Sequence, residues 1–223
     1  VYKRQIILQK KKNSKISKLV SNNSTLVGCR IPSNKLAKKL ITLFDLPIAA
    51  PSANLSERTS VTNIMDIDPI LVKKIFVLKD KQSSHGLEST VVRIDTNNEI
   101  EVLRYGSITV EELNKYAKVK IKKKSSISPG NLKKHYSTLK PIRMNAKRIL
   151  KNEGLLNFGN NKLKSKIINL NLSNKKNLNE AAKNFYHYLH KLDQSRCKKI
   201  AVVEIPDKGL GKTINDRLRR AIK

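Results

Sequence analysis

A chain of 223 residues, 39% of them hydrophobic, is long enough for two ordinary domains, and no run in it is apolar enough to span a bilayer. The two cysteines, Cys29 and Cys197, stand alone, which excludes a disulfide framework and favours a reducing, cytoplasmic setting. The net charge of +30 favours encounters with polyanions such as tRNA or ATP but locates no site. Because 36 of the 47 basic residues are Lys, part of this charge is also explained by an A/T-rich genome.

The first five residues, V-Y-K-R-Q, match the translation of a transposon-end adapter used in sequencing libraries, and the chain has no initiator Met. We therefore interpret residues 1–5 as an adapter artefact and leave them out of the fold prediction. On this hypothesis, the same gene assembled from an independent library encodes a different beginning.

The sequence predicts an α/β fold, with a first domain at residues 6–121. Its strands are expected at 6–8, 25–31, 48–50, 75–78, 86–95, 101–104 and 119–121. A helix that begins after Ser33 as its N-cap runs to Phe44 with an apolar face, and a second helix follows Thr109 as its cap. The two strands at 86–95 and 101–104 are separated by a turn and should form a hairpin.

A basic stretch at 122–141 contains two prolines and a glycine and has no apolar period, so we interpret it as a linker. A second, smaller α/β domain is predicted at 142–223. It has strands at 154–159, 167–172 and 200–205 and helices at 177–192 and 213–222. Strands that alternate with helices indicate a small parallel sheet of Rossmann-like type.

The segment from Pro47 to Thr62 carries five hydroxyl side chains within eleven residues, interspersed with alanines that leave the backbone uncrowded. The hydroxyls are those of Ser52, Ser56, Thr59, Ser60 and Thr62. Such a segment suits a phosphate-bearing ligand, and a polar surface turn with a helix cap is the alternative. Arg30, at the end of a predicted strand, could likewise bind a carboxylate or simply point to solvent.

Two further patterns resemble functional motifs, but each lacks a residue that the motif requires. The stretch G-L-G-K-T at 209–213 would need a glycine where Pro206 stands to form a phosphate-binding P-loop. His187 and His190 are spaced to share a metal ion on one helix, but no third ligand is apparent, so we predict no metal site.

Six motifs in order resemble those of the L-threonylcarbamoyladenylate synthases, the YrdC-like family, in its two-domain form. They are G-C-R-I-P at 28–32, A-P-S-A-N at 50–54 with Ser60 following, G-L-E-S-T-V-V at 86–92, L-R-Y-G-S-I at 103–108, S-P-G-N-L-K-K-H-Y at 128–136 and G-L-G-K-T-I-N-D-R-L-R-R-A at 209–221. The resemblance implies a partial YrdC-like catalytic domain, a linker and a C-terminal Rossmann-like domain.

Such enzymes convert L-threonine, bicarbonate and ATP into threonylcarbamoyl-AMP and pyrophosphate. The product passes to the threonylcarbamoyl transferase machinery that modifies tRNA, so tRNA would be an indirect partner. In-line attack on an α-phosphate needs positioning and charge neutralisation rather than a protein nucleophile. The resemblance therefore implies no catalytic nucleophile, ATP as substrate and Mg²⁺ as its companion, and no membrane partner.

The resemblance also implies roles for particular residues. Arg30 would bind the threonine carboxylate, and Ala50 and Ser89 would line the threonine pocket. The residues implied for ATP are Ser52, Ser60, Arg104 and Tyr136, the last reaching in from the linker.

Three departures from the family pattern qualify these expectations. Glu57 and Thr59 stand where the family usually has Gly and Pro, and Tyr105 replaces a usual Pro. The family's N-terminal Lys-x-Arg nucleotide grip is also missing, so we expect this chain alone to be inactive and to expose part of its first core. A non-catalytic basic α/β module that binds RNA is the alternative function, although no aromatic stacking platform is recognisable.

Overall fold

The computed structural model describes residues 4–50, 53–54, 58–78, 86–121 and 137–222, with side chains from residue 5 onward. The chain divides into two compact units. The first unit comprises Val1–Pro51 and Glu88–Asn131, and the second comprises Ser52–Leu87 and Leu132–Lys223. Each unit has its own sheet with helices, which confirms the predicted α/β class. Most of the predicted linker lies outside the described residues, and the predicted boundaries at 121 and 141 stay a prediction.

The first unit is built on a mixed sheet of five strands in the order β2-β1-β3-β4-β5. The strands are β1 (Arg4–Gln9), β2 (Leu26–Cys29), β3 (Thr90–Ile94), β4 (Ile100–Arg104) and β5 (Val119–Ile121). Neighbouring residues of β3 point to opposite faces, so Val92 packs with Val102 on one side and Val91 with Leu103 on the other. The predicted hairpin is confirmed, because β3 and β4 pair antiparallel.

Strand β1 begins inside the five residues that the sequence analysis set aside. Arg4 and Gln5 pair in parallel with Thr90 and Val91 of β3. Such pairing uses backbone groups that every residue except proline supplies in full, so it is compatible with any origin of these residues. Their adapter origin stays a prediction.

Helix α1 (Lys35–Phe44) presents its apolar face to solvent. Leu36 is 40% exposed and Phe44 58%, and no side chain of the helix is buried. Its N-cap is Asn34, whose side chain accepts a hydrogen bond from the backbone of Ala37, so the prediction of Ser33 as the cap is wrong. Asn34 is one of the residues best suited to this position, and its carbonyl oxygen reaches the third helical N–H.

Two predicted strands, at 48–50 and 75–78, are absent, and both segments are irregular. Each is a short apolar run, and a strand exists only where a neighbouring strand pairs with its backbone. A single 3-10 turn (Ile64–Asp66) and a short helix α2 (Pro69–Val72) lie between them. The predicted helix after Thr109 is α3 (Val110–Leu113), where Thr109 and Glu112 form a capping box.

The second unit carries a parallel sheet in the order β6-β9-β7-β8, as the alternating pattern predicted. Its strands are β6 (Ile142–Arg143), β7 (Glu153–Asn157), β8 (Asn169–Asn171) and β9 (Lys199–Val202), and its helices are α4 (Leu178–Gln194) and α5 (Leu210–Ala221). Leu155, Phe185 and Leu218 are fully buried in one core that joins the sheet to both helices. None of the described helices has the length and apolarity needed to cross a bilayer.

Candidate functional site

Three of the residues singled out from the sequence meet at the beginning of β3. The guanidinium Nη1 of Arg30 donates to the hydroxyl oxygen of Ser89 at 3.1 Å. The Nη2 of Arg104 donates to the backbone carbonyl oxygen of the same serine at 2.9 Å. Ser89 is 3% exposed, so two cationic side chains converge on a buried hydroxyl residue.

The strand topology explains why residues 59 and 15 positions away from Ser89 come together there. Strand β2 runs antiparallel to β1, and β1 runs parallel to β3, so Arg30, which follows β2, lies near the start of β3. Strand β4 is antiparallel to β3, so Arg104 at its end reaches the same edge of the sheet. The sheet thus brings two guanidinium groups, the usual partners of carboxylate and phosphate oxygens, to one place.

Hydrogen bonds of Thr90 and Ser107 fix the motif at 103–108 against the motif at 86–92. The hydroxyl of Thr90 donates to the carbonyl oxygen of Ile108 at 2.7 Å and accepts from the Ile108 N–H at 2.9 Å. The N–H of Ser107 donates to the carbonyl oxygen of Glu88 at 2.9 Å. A Cβ at Gly106 would lie 2.2 Å from the backbone nitrogen of Thr90, so the close approach of the two segments requires glycine there.

The remaining predicted site residues are not brought to this cluster by any described contact. Ala50 is exposed and belongs to the first unit. Ser60 is half-buried and belongs to the second unit. Ser52 and Tyr136 lie outside the described residues. The roles assigned to these four residues stay predictions.

The segment that carries Ser60 is held by residues that the sequence analysis did not assign to a site. Thr59 is 4% exposed, and its hydroxyl lies 3.0 Å from Nε2 of His190 on α4. Nδ1 of His187, one helical turn earlier, lies 3.3 Å from a carboxylate oxygen of Asp66. Upstream, the side-chain amide of Asn54 donates to the carbonyl oxygen of Arg58 at 3.1 Å.

The sequence did not reveal the partners of the two histidines, because Asp66 and Thr59 are 121 and 131 residues away in the chain. The spacing of His187 and His190 put them on one helix face, and this was the only signal available. Within the part of the chain that the structure describes, no group of three metal-ligating side chains occurs.

Two family models together match nearly the whole chain. A model described as "Telomere recombination", of the Sua5, YciO and YrdC proteins, matches residues 3–106. A model described as "Threonylcarbamoyl-AMP synthase, C-terminal domain" matches residues 108–222.

Curated relatives and a solved structure show the same similarity. The chain is 25% identical to the threonylcarbamoyl-AMP synthase of Pyrococcus abyssi, covering 94% of this chain and 68% of the relative. It is 28% identical to that of Bacillus subtilis, covering 92% of this chain and 66% of the relative. The crystal structure of P. abyssi Sua5 complexed with L-threonine superposes with a TM-score of 0.84 at 23% identity, covering 98% of this chain and 69% of that one. The chain therefore spans about two thirds of the length of these proteins.

Proposed function

The chain belongs to the threonylcarbamoyl-AMP synthase family, a family of nucleotidyltransferase enzymes, and we propose that its substrates are L-threonine, bicarbonate and ATP. The observation that carries the proposal is the convergence of Arg30 and Arg104 on Ser89. Two guanidinium groups beside a buried hydroxyl suit a reaction between a carboxylate and a nucleotide phosphate, because both reactants are anions.

The threonine side of the site is proposed around Arg30. Its guanidinium would bind the threonine carboxylate, and its hydrogen bond to the Ser89 hydroxyl would hold it in position for that contact. Ser89 and Ala50 would line the pocket for the threonine side chain. In the P. abyssi structure the bound ligand is L-threonine, which agrees with a carboxylate-binding arginine here.

The nucleotide side is proposed around Arg104 and the hydroxyls of Ser52 and Ser60, with Tyr136 added from the linker. In-line displacement at the α-phosphate demands neutralised charge and fixed geometry, which arginine and hydroxyl groups supply without a protein nucleophile. Mg²⁺ is proposed as the companion of ATP rather than as a resident ion, because it binds nucleotide phosphates with few protein ligands. No group of three ligating side chains occurs among the described residues.

The proposed reaction has two steps. The threonine amine attacks bicarbonate and water leaves, which gives an N-carboxylate. An oxygen of this N-carboxylate then attacks the α-phosphorus of ATP and pyrophosphate leaves, which gives threonylcarbamoyl-AMP. A cytoplasmic transferase machinery that places the threonylcarbamoyl group on tRNA is the proposed consumer of the product.

The test is pyrophosphate release from ATP, measured for the 223-residue chain and for the full product of its gene, with and without L-threonine and bicarbonate. We expect release by the full product to require both. In that protein, Arg30→Ala should raise the KM for threonine about 10- to 100-fold, because a hydrogen-bonded charge pair contributes about 1.5–3 kcal/mol. Arg196→Ala, an exposed arginine of the second unit, is the matched control and should leave this KM unchanged.

An unchanged threonine KM in Arg30→Ala would remove Arg30 from the site. Release of pyrophosphate that is indifferent to threonine would refute the proposed reaction. Strongly salt-dependent RNA binding without any requirement for ATP and threonine would then favour the basic RNA-binding module.

A further inference from the structure

One face of helix α4 holds the separate loop segments of the second unit. Lys183, His187, His190 and Asp193 follow one another at intervals of four, three and three residues. At 100° per residue these positions fall within about 120° of the helix circumference, so they share one face. Each of them lies against a different part of the chain.

The four contacts are made along this face from the N-terminal to the C-terminal half of the helix. Near Lys183, whose side chain is exposed, Gly86 lies against the helix backbone, where an added Cβ would be 2.1 Å from the carbonyl oxygen of Ala182 and 2.5 Å from the Cα of Lys183. His187 contacts Asp66, and His190 contacts Thr59. Both carboxylate oxygens of Asp193 accept backbone N–H groups, from residues 139 and 140, at 2.9 Å.

The contact with Thr59 bears directly on the hydroxyl segment. Thr59 is 4% exposed, so its hydroxyl has little access to water and depends on the imidazole of His190 for a hydrogen bond. Ser60 is the next residue, and fixing the side chain of Thr59 restricts where the Ser60 hydroxyl can be. The half-buried state of Ser60 fits a residue held at the margin of the packed region.

We propose that His190 is a positioning residue for ATP, which acts through Thr59 to place the hydroxyl of Ser60 for the nucleotide phosphates. This role rests on the proposed function, because it takes the Ser60 hydroxyl to be a phosphate ligand. His187, one helical turn before His190, supports the same segment through Asp66. Helix α4 thereby contributes to nucleotide binding through the segment 58–66 of the same unit, without a side chain of its own on the nucleotide.

The first measurement is amide hydrogen exchange of residues 58–66 in the 223-residue chain. His190→Ala should speed exchange in this segment about three- to tenfold, the effect of losing one hydrogen bond. Thr59→Val should have the same effect, and the double variant should add nothing further because both changes remove one interaction. His190→Gln, which keeps a donor and an acceptor, should restore slow exchange, and Lys191→Ala on the exposed side of α4 is the control.

The second measurement is the dissociation constant for ATP, determined calorimetrically in the full product of the gene for the same variants. His190→Ala should weaken ATP binding about three- to tenfold, while threonine binding stays unchanged and His190→Gln recovers most of the loss. Unchanged exchange in His190→Ala would overturn the proposal at its first step. Faster exchange with unchanged ATP binding would overturn the role in nucleotide binding, and a wild-type protein that binds no ATP would refute the proposed function itself.

Discussion

A buried ion pair in the second unit should make the two partners unequal in their importance for stability. Glu153 begins β7 with its side chain fully buried, and Arg143 ends β6 with its side chain 36% exposed. The guanidinium donates to both carboxylate oxygens, at 2.9 and 2.6 Å, and the N–H of Leu150 donates to one of them at 2.8 Å. Removing the arginine leaves a buried carboxylate, whereas removing the carboxylate leaves a cation that water can reach.

This asymmetry sets the expected magnitudes. Arg143→Ala should lower the free energy of unfolding by about 3–5 kcal/mol, the usual cost of leaving one charge of a buried pair without its partner. Glu153→Gln keeps an oxygen for the N–H of Leu150, and Arg143 can be hydrated, so it should cost only about 1–2 kcal/mol. Replacing both residues with Met should cost less than Arg143→Ala alone, because no charge then remains buried.

The assay is native-state amide exchange of Leu155 and Leu156, two fully buried residues of β7 whose protection reports the opening of this unit. Equal losses of protection in Arg143→Ala and Glu153→Gln would refute the reasoning, as would a loss below about 1 kcal/mol in Arg143→Ala. Such results would mean that water reaches the carboxylate despite its burial.

The same pair predicts how stability depends on pH. Hydrogen bonds from Arg143 hold the pKa of Glu153 below its ordinary value of 4.5, against the opposing effect of burial. The stabilisation is therefore fully present above pH 4.5 and is lost as the pH falls through the lowered pKa of the folded protein. In Arg143→Ala this loss on acidification should become smaller, because the largest effect that lowers the pKa of Glu153 is gone while burial still raises it. Urea unfolding between pH 3 and 7 checks both slopes, and identical slopes would contradict the prediction.

Two other substitutions test the packing of the site and of the linker end. Gly106→Ala introduces a Cβ at 2.2 Å from the backbone nitrogen of Thr90. We expect the free energy of unfolding in urea to fall by about 2–4 kcal/mol and threonine binding, measured by calorimetry, to weaken. Wild-type values for both would show that the two segments separate easily. Lys140→Met removes an ammonium group that donates to three carbonyl oxygens at the end of α4, so the free energy of unfolding should fall by about 1–3 kcal/mol. Lys147 is exposed, and Lys147→Met should leave the free energy of unfolding unchanged. Equal stability of the two variants would contradict the role of Lys140.

Elements that rest on local periodicity were predicted well from the sequence. The helix predicted at 177–192 is α4, because its apolar residues recur every three or four positions and its N-cap precedes them. The hairpin of β3 and β4 follows from two apolar runs around a polar turn. The helix predicted at 213–222 begins three residues earlier, at Leu210, because Gly209 and Gly211 hid its first turn.

The runs that failed as strands show the limit of local reasoning. The segments at 48–50 and 75–78 are apolar and β-prone, but strand formation depends on a partner that the sequence does not reveal. The apolar face of α1 was also predicted. Whether such a face is buried depends on which segments pack against the helix, and no side chain of α1 is buried in the described structure.

The amino-acid sequence by itself determined the α/β class and the family, and it supplied Arg30, Ser89 and Arg104 as candidates for the site, since these depend on residue type and on spacing along the chain. The tertiary structure decided which of those residues meet. Arg30 and Ser89 are 59 residues apart, and Thr59 and His190 are 131 apart. Such pairs form only when strand order and helix packing bring distant segments together, and no local pattern encodes that distance.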